Sequence, residues 1–285
     1  MFRFLRLLAM IWLALAVTPA LAAPRADLWE RWAAHDPQSS LEIDHSTWDG
    51  LLARYRSTGP DGIARFNYAG VSAEDAQALA SYLDSLQQAP VSRLARPQQL
   101  AFWLNAYNAL TVLTVLRHYP VRSIRDIDIS PGLFADGPWG KKLLTMEGQA
   151  ISLDDIEHRI LRPIWQSPLI HYGVNCASLG CPDLPARAFA GQTAITQLEA
   201  AAGAFINHPR GVAVTQEGLV LSSIYSWFQA DFGGDERAVI AHLAGFADAA
   251  LAAQLLGISA VSDYVYDWSL NDAAPRKGFG ANRPF

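Results

Sequence analysis

The chain has 285 residues, of which 51% are hydrophobic and nine are tryptophan. This composition is ample for a large buried core and argues against a disordered chain. With 22 basic and 27 acidic residues the formal net charge is −5, which argues against nucleic acid or an anionic membrane surface as the partner. The length is typical of one large domain, or of one domain with a small accessory.

The first 22 residues have the pattern of a secretory signal peptide. Arg3 and Arg6 precede an apolar run over residues 7–17, and an Ala-x-Ala site follows at 20–22. The apolar run is too short for a confident membrane span. After cleavage 20 basic residues face 27 acidic ones, a net charge of −7. We therefore expect an exported protein, periplasmic or secreted, with no stable membrane span; the alternative is an uncleaved amphipathic anchor.

Residues 23–93 are predicted to form an N-terminal helical segment. Ser72 and Asp75 have the spacing of a capping box, which opens a helix to about residue 88. Pro90 and Pro97 bracket a linker to the next helix. The other elements expected in this segment are short helices at 26–34 and 48–55 and a short strand at 64–68.

The helix predicted over 98–118 is apolar on nearly every side, which indicates that it is buried. Asn105 and Asn108 share one face of it, three residues apart. Buried carboxamides must find hydrogen-bond partners or cost stability. They are therefore either a structural network to nearby backbone or the polar wall of a site, and the sequence leaves both interpretations open.

A Gly/Pro/aromatic loop around Trp139 precedes the next predicted elements, a hairpin at 143–146 and 149–151 and a helix at 153–161. Ser152 and Asp155 form a second capping box for this helix. Glu157 and His158 lie inside it, and a solvated face is the simplest expectation for both. Because helical neighbours point about 100 degrees apart, at most one of them is expected to face the core.

A mainly helical α+β domain is expected, in which long buried helices pack on a small, largely antiparallel sheet. Its strands are predicted to begin near Leu169, Val212, Leu219 and Tyr264. The predicted organisation is a core domain over 94–232, a completing helix and strand over 233–271 and a loose tail over 272–285. The elements expected after the core loop are helices at 193–207, 224–232 and 236–256, a hairpin at 212–215 and 219–222, and a strand at 262–269.

Residues 169–184 hold the only two cysteines, Cys176 and Cys181, and also His171. An apolar run over 169–174 enters this stretch and a turn-rich run leaves it, a pattern that predicts a buried strand delivering a loop. A histidine near a cysteine lowers the pKa of the thiol and supplies the reactive thiolate.

A Cys–His pair is suited to acyl transfer: hydrolysis of an amide or thioester, or transamidation. In this hypothesis Cys176 is the nucleophile and His171 the base. Asn105, Asn108 or Glu157 orients the imidazole, and Asn175 helps to bind an oxyanion. The expected ligand is a small molecule or a peptide, and no cofactor is predicted.

Three other interpretations of the two cysteines stay open. They can form a disulfide that pins the loop, which export makes chemically easy. They can be redox-active, although their C-x4-C spacing is not the redox C-x-x-C. With His171 they can supply three ligands to zinc, although structural zinc sites usually have tighter paired spacings. The rival function is a non-catalytic envelope binding module with the same loop stapled by a Cys176–Cys181 disulfide.

Four motifs together resemble the domain-of-unknown-function family 547, over about residues 94–232. The motifs lie at residues 102–109, 151–162, 171–182 and 225–232. The family has no settled activity. The resemblance draws attention to a set of six residues: Asn105, Asn108, Glu157, His171, Cys176 and Cys181. Some relatives are fused to glutaredoxin-like domains, which implies thiol chemistry, and relatives in the reducing cytosol keep both cysteines, which counts against a purely disulfide role.

Overall fold

The computed structural model describes residues 24–132 and 136–274. The predicted signal peptide and residues 275–285 of the predicted tail lie outside these ranges. The helices are α1 (Ser46–Tyr55), α2 (Ala73–Gln87), α3 (Arg96–His118), α4 (Arg162–Trp165), α5 (Ala194–Ile206), α6 (Ile224–Trp227), α7 (Glu236–Phe246) and α8 (Ala249–Leu255). The strands are β1 (Arg56–Thr58), β2 (Ala64–Phe66), β3 (Leu144–Met146), β4 (Gln149–Ile151), β5 (Val212–Thr215), β6 (Gly218–Ser222) and β7 (Asp263–Val265).

Helix α3 forms the centre of the fold. Every residue from 99 to 115 is buried, as expected of a helix that is apolar on all sides. Pro97 lies in its first turn, where the missing N–H costs nothing. The larger hydrophobic core packs around α3 and takes side chains from both sides of the predicted boundary at residue 94, including Trp32 and Trp48. A second core lies between α5, α7 and the β5–β6 hairpin.

The sheets are small and mostly antiparallel, which confirms the predicted α+β class. β1 pairs with β2, β3 with β4, and β5 with β6, all antiparallel. β7 then adds to β6 in parallel. Three of the four expected strand positions therefore belong to one sheet.

The fourth expected strand, over 169–174, is wrong. Pro168–Tyr172 is a 3-10 helix that begins where the Ser167 hydroxyl accepts a hydrogen bond from the Leu169 N–H at 3.3 Å. A short apolar run predicts that a segment is buried, but it does not distinguish a buried strand from a buried helical turn.

The helix predicted over 236–256 is broken into α7 and α8. The break is fixed by Asn207, whose side chain donates to the Phe246 carbonyl at 2.9 Å and accepts from the Asp248 N–H at 2.7 Å. Asp248 then caps α8. The helix predicted over 224–232 is likewise shorter, because α6 ends at Trp227 and a 3-10 turn, Gln229–Phe232, follows.

The helix predicted over 153–161 is a π-helix, Asp155–Leu161, that continues into α4. With the wider i→i+5 spacing, the partner for the His158 carbonyl would be the N–H of Pro163, which proline lacks. The N-terminal segment supplies donors instead: Asp27 N–H bonds the His158 carbonyl at 2.9 Å, and Trp29 N–H bonds the Arg159 carbonyl at 3.0 Å.

Candidate functional site

Two carboxamides of α3 clamp the two ends of the loop that carries the cysteines. Asn108 donates to the Gly173 carbonyl and accepts from the Asn175 N–H, both at 2.8 Å. Asn105 donates to the Phe189 carbonyl at 2.8 Å and accepts from the Phe189 N–H at 2.9 Å. Both carboxamides thus serve the structural network, and no hydrogen bond joins either to His171 among the described residues. The prediction that one of them orients the imidazole is wrong.

The side chain of Asn175 is buried and forms hydrogen bonds inside the loop. Its side chain donates to the Pro182 carbonyl at 2.8 Å and accepts from the Ala177 N–H at 2.9 Å and from Asn271 at 3.2 Å. These bonds hold the turn in which Ala177 adopts a left-handed conformation, with φ 58°. The structure therefore contradicts the predicted oxyanion role, because the amide already bonds the backbone of its own loop.

The outer edge of the loop is fastened to the segment that follows β7. Leu179 N–H donates to the Ser269 carbonyl and Gly180 N–H to the Asp267 carbonyl, both at 2.8 Å. A Cβ on Gly180 would lie 2.8 Å from the Asp267 nitrogen, so only glycine allows this approach. This contact places Tyr266, which no interpretation of the sequence singled out, against the cysteines.

The two sulfurs are free and share one hydrogen-bond cluster. Cys181 is buried and Cys176 is partly exposed. The Cys176 N–H donates to Cys181 Sγ at 3.0 Å. The Tyr266 hydroxyl lies 3.1 Å from Cys176 Sγ and 3.3 Å from Cys181 Sγ. Ser178 Oγ lies 3.3 Å from Cys176 Sγ and 2.8 Å from the Tyr266 hydroxyl. Cys176, Ser178, Cys181 and Tyr266 are called the thiol cluster below.

The thiol cluster favours a single thiolate near neutral pH. The hydrogen bond to Cys181, followed by burial, raises the pKa of Cys176 well above its usual range. Burial also raises the pKa of Cys181, but hydrogen bonds from Cys176, Tyr266 and Ser178 outweigh it and lower the pKa to about 7. The cluster loses its first thiol proton easily because the neighbouring hydrogen-bond donors stabilise the resulting thiolate. It holds the second thiol proton because two adjacent thiolates would repel each other.

His171 belongs to a different cluster. Its Nε2 lies 2.8 Å from Asp231 Oδ2, and its Nδ1 lies 3.9 Å from Glu157 Oε1. The ring stacks on Phe228 with centroids 4.2 Å apart, and Arg162 donates to Asp231 at 2.5 Å. Burial lowers the pKa of His171 although Asp231 favours the charged form. Glu157, His158, Arg162, His171 and Asp231 are called the acid–histidine cluster.

The predicted Cys176–His171 pair is not formed. The 3-10 helix ends at Gly173, and Asn108 fixes the backbone between the two side chains, so they face different clusters. No hydrogen bond joins His171 to either sulfur in the described parts of the chain. The zinc site built on His171 and both cysteines fails for the same reason, and residues 24–132 and 136–274 contain no group of three or more ligand side chains suited to a metal.

Glu157 and His158 are both buried, which contradicts the expectation of a solvated face. The π-helix turns less per residue than an α-helix, and the N-terminal segment covers it, so adjacent side chains can both point inward. Burial raises the pKa of Glu157 and lowers that of His158 to about 4. Glu157 alone among the predicted orienting residues lies near His171.

Trp139 connects to the thiol cluster through aromatic neighbours. Its ring lies 5.8 Å from that of Trp268, which is 4.6 Å from Tyr266 and 5.6 Å from Trp227. These four rings form a partly exposed aromatic rim beside Cys176. The alternation over 262–269 is the sequence signal that places Tyr264, Tyr266 and Trp268 on one face.

The fold and site define a mainly helical α+β domain whose two-cysteine loop is clamped to a buried helix. Residues 91–206 match the family model described as Protein of unknown function, DUF547. This segment holds α3, the π-helix and both cysteines, and the resemblance to the family is confirmed over these residues. The match ends before the fourth motif, at 225–232. No curated protein sequence and no solved structure matches the chain.

None of the helices in the described ranges is long and apolar enough to cross a membrane.

Proposed function

We propose that the protein carries out thiol–disulfide exchange, with Cys176 as the attacking thiol and Cys181 as the resolving thiol. The observation that carries the proposal is the thiol cluster, in which two free sulfurs share the hydroxyl of Tyr266. The thiolate is the nucleophile in such exchange, and the cluster favours one thiolate near neutral pH.

The reaction runs in two displacements. The Cys176 thiolate attacks one sulfur of a substrate disulfide, which releases one substrate thiolate and forms a mixed disulfide. Cys181 then attacks the Cys176 sulfur, which releases the second substrate thiolate and leaves a Cys176–Cys181 disulfide. The substrate disulfide is reduced to two thiols while the protein dithiol is oxidised, and a dithiol reductant returns the protein to its starting state.

The relative exposure of the sulfurs supports this order. Cys176 is partly exposed, whereas Cys181 lies inside the loop with only 4% of its surface accessible. A substrate disulfide therefore meets Cys176 first. Cys181, whose sulfur accepts from the Cys176 N–H, is held next to the bond that it must break.

Replacement of Cys181 by serine should trap the reaction at the mixed disulfide. The reduced wild type, mixed with an aromatic disulfide reagent, is expected to release two thiolates per chain and to end with an internal disulfide. Cys181→Ser is expected to release one and to gain the mass of the bound half-reagent. The measurement is absorbance of the released thiolate together with the intact mass.

Cys176→Ser serves as the matched control, since it keeps the buried thiol and removes the exposed one. It should react far more slowly than Cys181→Ser. If the wild type also stops at one thiolate and forms no internal disulfide, exchange is not the function. Near-ultraviolet circular dichroism of each variant establishes that the fold is intact.

Acyl transfer at Cys176 is the second candidate, favoured by the partly exposed sulfur and its two hydroxyl partners. In this alternative Cys181 replaces His171 as the proton acceptor. An activated thioester distinguishes the two functions: acyl transfer predicts an acylated Cys176 and a free product thiol in wild type, with no internal disulfide. A chain that reacts with neither reagent would favour the non-catalytic binding module.

We further propose that the protein acts outside the cytosol, in the periplasm or as a secreted protein. The pattern of the first 22 residues supports this location, and disulfide substrates persist in such oxidising compartments. The N-terminal residue of the protein recovered from the envelope or medium is expected to be Ala23. Recovery of the full-length chain from the cytosol would contradict export.

A further inference from the structure

The Tyr266 hydroxyl contacts both sulfurs. It lies 3.1 Å from Cys176 Sγ and 3.3 Å from Cys181 Sγ. A phenol has one proton to donate and lone pairs with which to accept. It therefore donates to one sulfur while it accepts from the other, and it is oriented by whichever sulfur carries the charge.

We propose that Tyr266 is a catalytic residue that relays the proton from Cys176 to Cys181. The Cys176 S–H proton passes to the Tyr266 oxygen as the phenolic proton passes to the Cys181 thiolate. The result is a Cys176 thiolate and a Cys181 thiol, with Tyr266 neutral before and after. This relay moves the negative charge from the buried sulfur of Cys181 to the partly exposed sulfur of Cys176. The inference rests on the proposed nucleophilic role of Cys176.

A proton transfer between the two sulfurs is needed to place the charge where a substrate can reach it. Cys181 has the lower pKa of the two, but Cys176 is the more exposed sulfur. Ser178 prepares the transfer, because its hydroxyl contacts both the Tyr266 oxygen and Cys176 Sγ and can stabilise the charge once it arrives. The pKa of Tyr266 is raised well above its usual range by burial and by the two cysteines, so the phenol keeps its proton.

Within residues 24–132 and 136–274 no charged side chain competes for this role, because neither sulfur has a hydrogen bond to a carboxylate, a lysine, an arginine or a histidine. The other titratable groups that feel the charge of the cysteines are Tyr68 and Tyr107, both buried, with their pKa raised chiefly by burial. Asp272 acts on Tyr68 and Glu157 on Tyr107, so these carboxyl groups face the tyrosines rather than the sulfurs.

The ring of Tyr266 is held in place on several sides. Trp227 and Trp268 pack on it with centroids 4.7 and 4.6 Å away. The backbone is fastened on either side, since Val265 accepts from the Ser223 N–H at 2.9 Å and Asp267 accepts from the Gly180 N–H at 2.8 Å. Removal of the hydroxyl alone should leave this packing intact.

Tyr266→Phe tests the relay through the pH dependence of alkylation by iodoacetamide. A hydrogen bond to a charged acceptor contributes roughly a ten- to hundred-fold change in such an equilibrium. The rate of the first alkylation at pH 7 is expected to fall by about that factor, and the midpoint of the pH–rate profile to move upward. Tyr264→Phe is the matched control: its hydroxyl bonds Glu236 at 3.3 Å, and its profile should match wild type.

An unchanged profile in folded Tyr266→Phe would overturn the relay. If that variant does not fold, a ring-fluorinated tyrosine at position 266 tests the same point, because the stronger donor should move the midpoint downward; no movement would overturn the relay as well. Alkylation needs no disulfide substrate, so failure of the relay is distinguishable from failure of exchange, which is judged by the internal disulfide.

Discussion

The protein is expected to lose stability steeply as the pH falls from about 6.5 to about 4. His158 is buried and His45 is partly buried, and burial is the main cause that lowers the pKa of each from 6.5 to about 4. Between these values the unfolded chain binds a proton on each imidazole and the folded protein does not. Protons taken up only by the unfolded state favour unfolding, so stability is complete above pH 6.5 and falls below it.

The contacts of His158 explain why it resists protonation. Arg162 Nη1 donates to His158 Nδ1 at 3.0 Å, so the neutral ring accepts there, and a second ring proton would point at a guanidinium. Asp154 Oδ1 lies 3.7 Å from Nε2 and offsets only part of this cost. One pKa unit is worth about 1.4 kcal/mol, so His158 alone accounts for a loss of about 3 kcal/mol in the free energy of unfolding as the pH falls to about 4. This is a large share of the roughly 5–15 kcal/mol by which a domain is stable.

Urea unfolding at pH 7.5 and 4.5 measures the effect. His158→Gln, which can still accept from Arg162 but does not titrate, should lose less stability between the two pH values than wild type. His118→Gln, at the exposed end of α3, should lose as much as wild type. Equal losses in wild type and His158→Gln would show that His158 is not responsible.

Local signals in the sequence predicted much of the fold. The all-round apolar pattern of α3, the Ser72 cap of α2, and the two hairpins at 144–151 and 212–222 all depend on residues close together in the chain. The cysteine loop was located for the same reason, because Cys176 and Cys181 are five residues apart.

The chemistry of the site could not be predicted because it depends on residues far apart in sequence. Cys176 meets Tyr266, 90 residues away, and His171 meets Asp231, 60 residues away. The proximity of His171 to Cys176 in sequence suggested a pair, but a helical turn and the Asn108 clamp direct the two side chains into different clusters. The π-helix is a further case, since Pro163 and the N-terminal segment jointly determine its hydrogen bonds.

Asn108→Ala is expected to destabilise the protein by about 2–6 kcal/mol. The substitution leaves the Gly173 carbonyl and the Asn175 N–H without their partner, and each unsatisfied buried group costs about 1–3 kcal/mol. Both groups belong to the backbone that leads into Cys176. The loop should therefore loosen as well, so alkylation of the two cysteines and exchange of the amide hydrogens over 173–176 should both become faster.

Thr111→Val is the matched control for this substitution. Thr111 lies on the same helix three residues further on and is also buried, but its hydroxyl has no hydrogen-bond partner among the described residues. Valine keeps the shape and removes an unsatisfied polar group, so stability should stay unchanged or rise. Urea unfolding and hydrogen exchange of both variants decide the matter: if Asn108→Ala is as stable as Thr111→Val, the carboxamide does not clamp the loop. If stability falls while the cysteines stay as slow to alkylate as in wild type, the clamp supports the core without setting the reactivity of the thiol cluster.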